Sequence, residues 1–371
     1  MRNKTGRSIR FAGGALAAII AVTCGIHHKA SYMVFKNLTA RKLPQDEAAE
    51  WDGGRSYLHI PYAEDSESQY LNLYVPETEE LPRLFVMIHG GGFIAGEAQT
   101  RQTIFMYQYF RDRGYACATI NYRLAQEAAF PAAIEDVKAA VRFLQSHADE
   151  YGYDADHIVV WGESAGGYLA CMEAFTDETE FMGVRYIGQE EDEKAGRSYD
   201  AKADVLIDYY GAVKLGASWS GDSDWEELDV PQIVISIANS WIDKKTLEGF
   251  SSVETFWLRK EFTEMSEEER RASDPQYYLR KNMGRTVNPA VMIIHGDCDI
   301  TVPYLQSQRL YEELAGPDSA GSAGGEDAAG KAAREERYKF LLVPGEGHAT
   351  DMLYCDEILA QIEAFIRKNQ H

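Results

Sequence analysis

The chain reads as an α/β protein, an eight-stranded, mainly parallel sheet flanked by helices, with one long excursion above it. Three observations carry that reading. Short apolar runs rich in β-branched residues recur along the chain, helix-period segments separate most of them, and chemically distinctive residues follow the ends of several runs. The strand-like runs are 55–61, 69–75, 84–89, 115–121, 157–162, 204–210, 290–295 and 338–343. The first two alternate as a half-buried hairpin does.

Between the strands, the clearest helix is predicted over 132–147, where Ile134, Val137, Val141 and Leu144 recur along one face. Further helices are expected over 101–113, 303–314 and 351–368. Residues 214–286 break the rhythm. They carry Trp219, Trp225, Trp241, Phe250, Phe256 and Trp257, more aromatic surface than an exposed loop holds, and so read as a cap over one edge of the sheet. Those rings either form the cap's own small core or face substrate, and both readings stand at this point. Residues 315–336 are a Gly/Ala/Ser-rich insertion with too little apolar surface to offset chain entropy, and mobility is expected there.

A length of 371 residues supports one large core, and residues 31–371 are expected to form one domain. The formal net charge of −22 argues against nucleic-acid partners and against electrostatic adhesion to anionic membranes. Residues 1–30 stand apart. Arg2, Lys4, Arg7 and Arg10 precede an apolar run from Phe11 to Ile26, the pattern of a signal peptide or an uncleaved signal anchor. Both place the rest of the chain outside the cytoplasm, secreted or membrane-anchored. Five cysteines make no disulfide framework: Cys117 and Cys171 read as buried thiols, and a bridge between Cys298 and Cys355 is not expected. No His/Cys/Asp set has metal-ligand spacing, no cofactor is implied, and oligomeric state is left open.

The chemistry concentrates at the ends of the strand-like runs. Gly162-Glu163-Ser164-Ala165-Gly166 joins the run His157-Ile158-Val159-Val160-Trp161 to a helix-like segment. A serine at such a turn is held in a strained backbone with its hydroxyl exposed and a helix N-terminus behind it. His89-Gly90-Gly91-Gly92-Phe93 follows Leu84–Ile88, and its bare N–H groups suit an oxyanion. A Walker-type phosphate loop would need Gly-Lys-Ser/Thr, which is absent. Asp297 and Asp299 follow Ala290–Ile294, and His348 follows Tyr338–Val343, so an acid and a histidine each lie just past a strand.

These residues resemble those of α/β-hydrolase esterases, in particular the hormone-sensitive-lipase-like and feruloyl/acetyl carbohydrate-esterase branches. The resemblance rests on His89-Gly90-Gly91-Gly92, Asn121-Tyr122-Arg123-Leu124, Phe130-Pro131-Ala132, Gly162–Gly167, His295-Gly296-x-x-Asp299-x-x-Val302-Pro303 and Gly347-His348, spanning about residues 55–369. Gln126, where proline is usual, and Ala349, where glycine is common, depart from the pattern. The resemblance implies Ser164 as nucleophile, His348 as general base and Asp299, by its spacing from Val302-Pro303, as the orienting acid, leaving Asp297 to cap a turn. The N–H groups of Gly91, Gly92 and Ala165 would hold the oxyanion. His89 is expected to brace the glycine loop. The implied function is hydrolysis of carboxylic esters with short or aromatic acyl groups, on a small molecule or a glycan. A prolyl-oligopeptidase-like peptidase, a lipase and a non-catalytic binding protein on the same fold are the alternatives. Residues that bind substrate cannot be named from sequence.

Overall fold

The computed structural model describes residues 51–215, 245–282, 288–316 and 334–370, together with Met33, Asp224, Glu227 and Leu228. The eight apolar runs become the strands of one sheet: β1 (Gly54–Pro61), β2 (Tyr70–Pro76), β3 (Arg83–Ile88), β4 (Ala116–Ile120), β5 (Asp154–Glu163), β6 (Val205–Tyr209), β7 (Ala290–Gly296) and β8 (Tyr338–Val343), in the order β1-β2-β4-β3-β5-β6-β7-β8. The β1–β2 and β2–β4 pairs are antiparallel, and from β4 onward every pair is parallel. Register decides where the chemistry falls. Ile88 pairs with Gly162, Glu163 with Tyr209, Tyr209 with Ile294, and Gly296 with Val343. The carboxyl ends of β3, β5, β6, β7 and β8 therefore share one edge, where open α/β sheets place their ligands.

Side chains alternate across this sheet into two cores. Phe85, Met87, Val159, Trp161, Val205 and Ile207 point to one face, under Met106 and Phe110 of α1 (Arg101–Arg111) and under the C-terminal helix. Leu84, Val86, Ile88, Ile158, Val160 and Leu206 point to the other, under α2 (Ala132–Ser146) and α3 (Ala165–Phe175). The α2 face predicted from spacing is the one buried, but α2 is covered on its outer side as well. Asp136, Lys138 and Arg142 are all buried there. Each has partners that offset its desolvation: Asp136 takes Arg123 (2.7 Å), Lys138 Nζ donates to the carbonyls of Asp177 (2.6 Å) and Glu180 (2.8 Å), and Arg142 donates to the Val184 carbonyl (2.7 Å). Periodicity alone marks only the apolar face.

The predicted excursion is described over 245–282. Within it, α4 (Val253–Leu258) starts at a capping box in which Ser252 and Thr255 exchange hydrogen bonds. Trp257 and Phe256 are buried in the main core, and the Trp257 ring stacks on Phe93 (centroids 4.0 Å apart, 2° between planes) with Phe130 and Tyr168 edge-on. Trp257 is thus core and offers no free face to substrate. Trp219, Trp225 and Trp241 lie outside the described residues, as do the leader over 1–30 and residues 317–333 of the insertion. The last two helices are α5 (Leu305–Ala315) and α6 (Asp356–Asn369), with a 3₁₀ turn over Asp351–Tyr354 occupying the start of the segment expected to be helical throughout. Cys117, Cys171, Cys298 and Cys355 are free thiols.

Candidate active site

Ser164 sits between β5 and α3 with φ 53° and ψ −118°, a conformation that disfavours any residue with a Cβ. What holds it there is close approach of backbone. A Cβ on Gly162 would lie 2.0 Å from the Gly166 carbonyl oxygen, and one on Gly166 would lie 2.2 Å from that of Ile88. The Ser164 N–H donates to Tyr209 O (2.9 Å), and its own carbonyl accepts from Tyr168 (3.1 Å) and Ala212 (3.3 Å). The turn is fixed from both the strand and the helix side.

His348 follows β8 and brings Nε2 to 3.0 Å from Ser164 Oγ. Its Nδ1 lies 2.6 Å from Asp299 Oδ2. Asp299 is fully buried and accepts four hydrogen bonds. Oδ1 takes the N–H groups of Thr301 (2.7 Å) and Val302 (2.9 Å), while Oδ2 takes His348 and His295 Nε2 (3.1 Å). His295 is locked in turn by Ser307, 2.8 Å from Nδ1. Burial would raise the Asp299 pKa, but the charge of His348 and hydrogen bonds from both imidazoles hold it well below the usual carboxylate range. Burial likewise works against protonation of His348, but the charge and hydrogen bond of Asp299, with the charge of Glu163, more than reverse this and raise His348 above its ordinary value. Asp297 is placed elsewhere. Its Oδ1 accepts from the Gly345 N–H (2.6 Å) and the Cys298 thiol (3.2 Å), a turn contact between the β7 and β8 loops.

The glycine loop after β3 faces Ser164. Gly91 and Gly92 have φ 113° and 61°, and a Cβ on Gly91 would sit 2.0 Å from Ala95 O. His89 lies beneath, its ring stacked on Tyr122 (4.3 Å) and its Nδ1 2.7 Å from Gly90 O. Burial drives its pKa down to about 4, so it is a neutral brace. Gln126 ties the loop from outside, donating to Ile94 O at 2.8 Å. Gly91, Gly92, Ser164, Ala165 and His348 line one cavity of about 300 Å³, closed further by Val253, Glu254, Thr301 and Val302. Sequence reasoning missed His295 as a partner of Asp299. It also missed Val253 and Glu254 as pocket residues, since only the fold brings the excursion to the cavity.

A profile of the BD-FAE family matches residues 71–314. The chain belongs to the BD-FAE family. The BD-FAE match includes Ser164 and Asp299, and His348 lies beyond it. Esterase LipC of Mycobacterium tuberculosis is 22% identical over 332 residues, covering 84% of this chain and 67% of LipC. Acetyl esterase of Salmonella typhi is 37% identical over 102 residues, a local match covering 28% of this chain and 31% of that enzyme. Among solved structures, a truncated carbohydrate esterase from gut microbiota superposes with a TM-score of 0.65 at 24% identity, covering 87% of this chain and 98% of that one. The fold is that of the α/β-hydrolase esterases.

Proposed function

We propose that this carboxylic ester hydrolase works by acyl transfer to Ser164, with His348 as general base and acid and Asp299 as its orienting partner. The observation that carries the reading is the unbroken chain Ser164 Oγ–His348–Asp299, at 3.0 and 2.6 Å, on the wall of a cavity. His348 takes the serine proton as Oγ attacks the ester carbonyl, and returns it to the leaving alcohol. Asp299 stabilises the imidazolium formed in between. The oxyanion is assigned to the N–H groups of Gly91, Gly92 and Ala165, which sit at a glycine loop and a helix N-terminus. Water then repeats the sequence on the acyl-enzyme.

A cavity of about 300 Å³ favours short acyl groups, acetyl to about butyryl, over long chains. A relative named acetyl esterase supports the same reading. We assign the alcohol side to an acylated sugar or a small alcohol, a choice supported by the carbohydrate esterase among the structural neighbours and by the leader, which reads as export to where esterified glycans occur. Ser164→Ala should abolish both ester turnover and stoichiometric fluorophosphonate labelling. Persistent labelling, or a preference for acyl chains longer than about ten carbons, would move the assignment to another serine or to a lipase.

A further inference from the structure

The residue between Gly162 and Ser164 is a carboxylate that the mechanism above does not use. Glu163 is 5% exposed and lines the catalytic cavity. Its Oε1 accepts from the Gly90 N–H at 3.3 Å, at the root of the glycine loop. Its Oε2 accepts from the Tyr210 hydroxyl at 2.6 Å, and Tyr354 hydrogen-bonds to that same hydroxyl. Tyr210 immediately follows β6, with φ 40°, and its N–H donates to Ile294 O (2.8 Å). Such a backbone in a bulky residue is costly and persists where surrounding structure enforces it. The enforced geometry sets the Tyr210 ring against the imidazole of His348, centroids 4.7 Å apart. One carboxylate thus touches the oxyanion loop on one side and, through one phenol, the general base on the other.

We propose that Glu163 and Tyr210 are positioning residues for ester hydrolysis, a carboxylate–phenol brace that fixes the oxyanion loop relative to His348 and favours the protonated imidazole in the transition state. The proposal rests on the triad reading above. A buried carboxylate is costly unless its bonds are met, and here they are met by the two parts of the site that must stay in register. The titratable groups around His348 are Asp299 and His295 from β7 and the loop after it, Glu163 from β5, Tyr210 from the end of β6 and Tyr354 from the 3₁₀ turn. Asp351 in that turn is paired with Arg101 at 2.6 Å, and Glu346 accepts from Thr350 at 2.8 Å. Asp299 and Glu163 are the carboxylates whose charge raises His348.

The test is steady-state hydrolysis of p-nitrophenyl acetate across pH by wild type, Glu163→Gln, Glu163→Asp and Tyr210→Phe. Glu163→Gln keeps the shape and removes the charge. It should lower kcat on the order of tenfold to a hundredfold with KM nearly unchanged, and move the acid limb of kcat/KM to lower pH by about half a unit. Glu163→Asp should return the limb towards its wild-type position, because it restores the charge. Tyr210→Phe should lower kcat severalfold and leave the limb in place. A Glu163→Gln enzyme with wild-type kcat and limb overturns the proposal. If that variant does not fold, Tyr210→Phe decides it, and wild-type kinetics there are equally fatal. A wild type without Ser164-dependent turnover would instead refute the triad reading itself.

Discussion

Replacing Asp299 by asparagine exchanges one oxygen for an NH₂ group at a position where all four contacts are donors. With Nδ2 towards Thr301 and Val302, two backbone N–H groups that now lie 2.7 and 2.9 Å from Oδ1 lose their acceptor. With Nδ2 towards the imidazoles, His348 must present a bare Nδ1 and protonate Nε2, the atom 3.0 Å from Ser164 Oγ, which then cannot accept the serine proton. Each orientation fails differently. The first leaves buried donors unmet, costing about 1–3 kcal/mol of stability, and the second selects the wrong tautomer, for which loss of kcat by roughly 10⁴ is the precedent in other serine hydrolases. Asp297→Asn is the matched control. It disturbs only the Gly345 and Cys298 contacts, so it should cost about 1 kcal/mol and leave kcat unchanged. Urea unfolding and p-nitrophenyl acetate hydrolysis on both variants separate the cases. For Asp299→Asn, a kcat within tenfold of wild type together with unchanged stability refutes the assignment, as does a greater loss of kcat in Asp297→Asn.

Gly91→Ala would force a Cβ to 2.0 Å from Ala95 O in a left-handed backbone, so the loop must move; kcat should fall by roughly 10²–10³ while thermal unfolding stays cooperative. His348 is held above its ordinary value of 6.5, so its base form is lost as pH falls, and kcat/KM should rise with pH through a limb lying above 6.5. In stability the same shift acts oppositely: the contribution of protonated His348 is full below 6.5 and disappears as pH rises through the folded value. Asp299, depressed below 3.8, contributes above 3.8 and loses that contribution only in strong acid, which pH-dependent urea unfolding of Asp299→Asn against wild type would reveal. Trp257→Ala should cost about 3–5 kcal/mol by removing a buried indole, and should reduce turnover through Phe93, measured by denaturation and by kcat.

The strands were legible because each is a short apolar run closed by a turn residue, and the site followed because its groups stand just past those runs. Ser164 and His348 could be named from local pattern and Asp299 set ahead of Asp297 by its resemblance to the family spacing, and the structure brings the three into hydrogen-bonding distance. Glu163 was hidden by the motif itself, in which its position accepts any residue; its role depends on Tyr210 and Tyr354, 47 and 191 residues away in sequence. His295 was equally hidden. It stands at a strand end and opens the spacing that carries the resemblance, but only the fold of the loop after β7 turns its Nε2 towards Asp299. The burial of Lys138 and Asp136 escaped because charge in a helix pattern signals solvent, whereas here the segment after α3 supplies the carbonyls that replace water around Lys138.

The seating of Trp257 bears on how a chimeric enzyme could be built. Excursions above a catalytic edge invite exchange between relatives as a way to change what an enzyme accepts. Here the Trp257 carbonyl receives the Phe130 N–H (3.0 Å), Arg259 reaches Ala125 O (2.7 Å), and the Ala125 N–H returns to Phe93 O (2.8 Å). The indole, the oxyanion loop and the loop after β4 therefore share one set of fastenings. A transplanted segment without a matching ring at 257 would leave Phe93 facing a void and reshape the donor loop along with the pocket wall. Transplants in this fold should succeed only when positions 93, 125, 130 and 257–259 travel together.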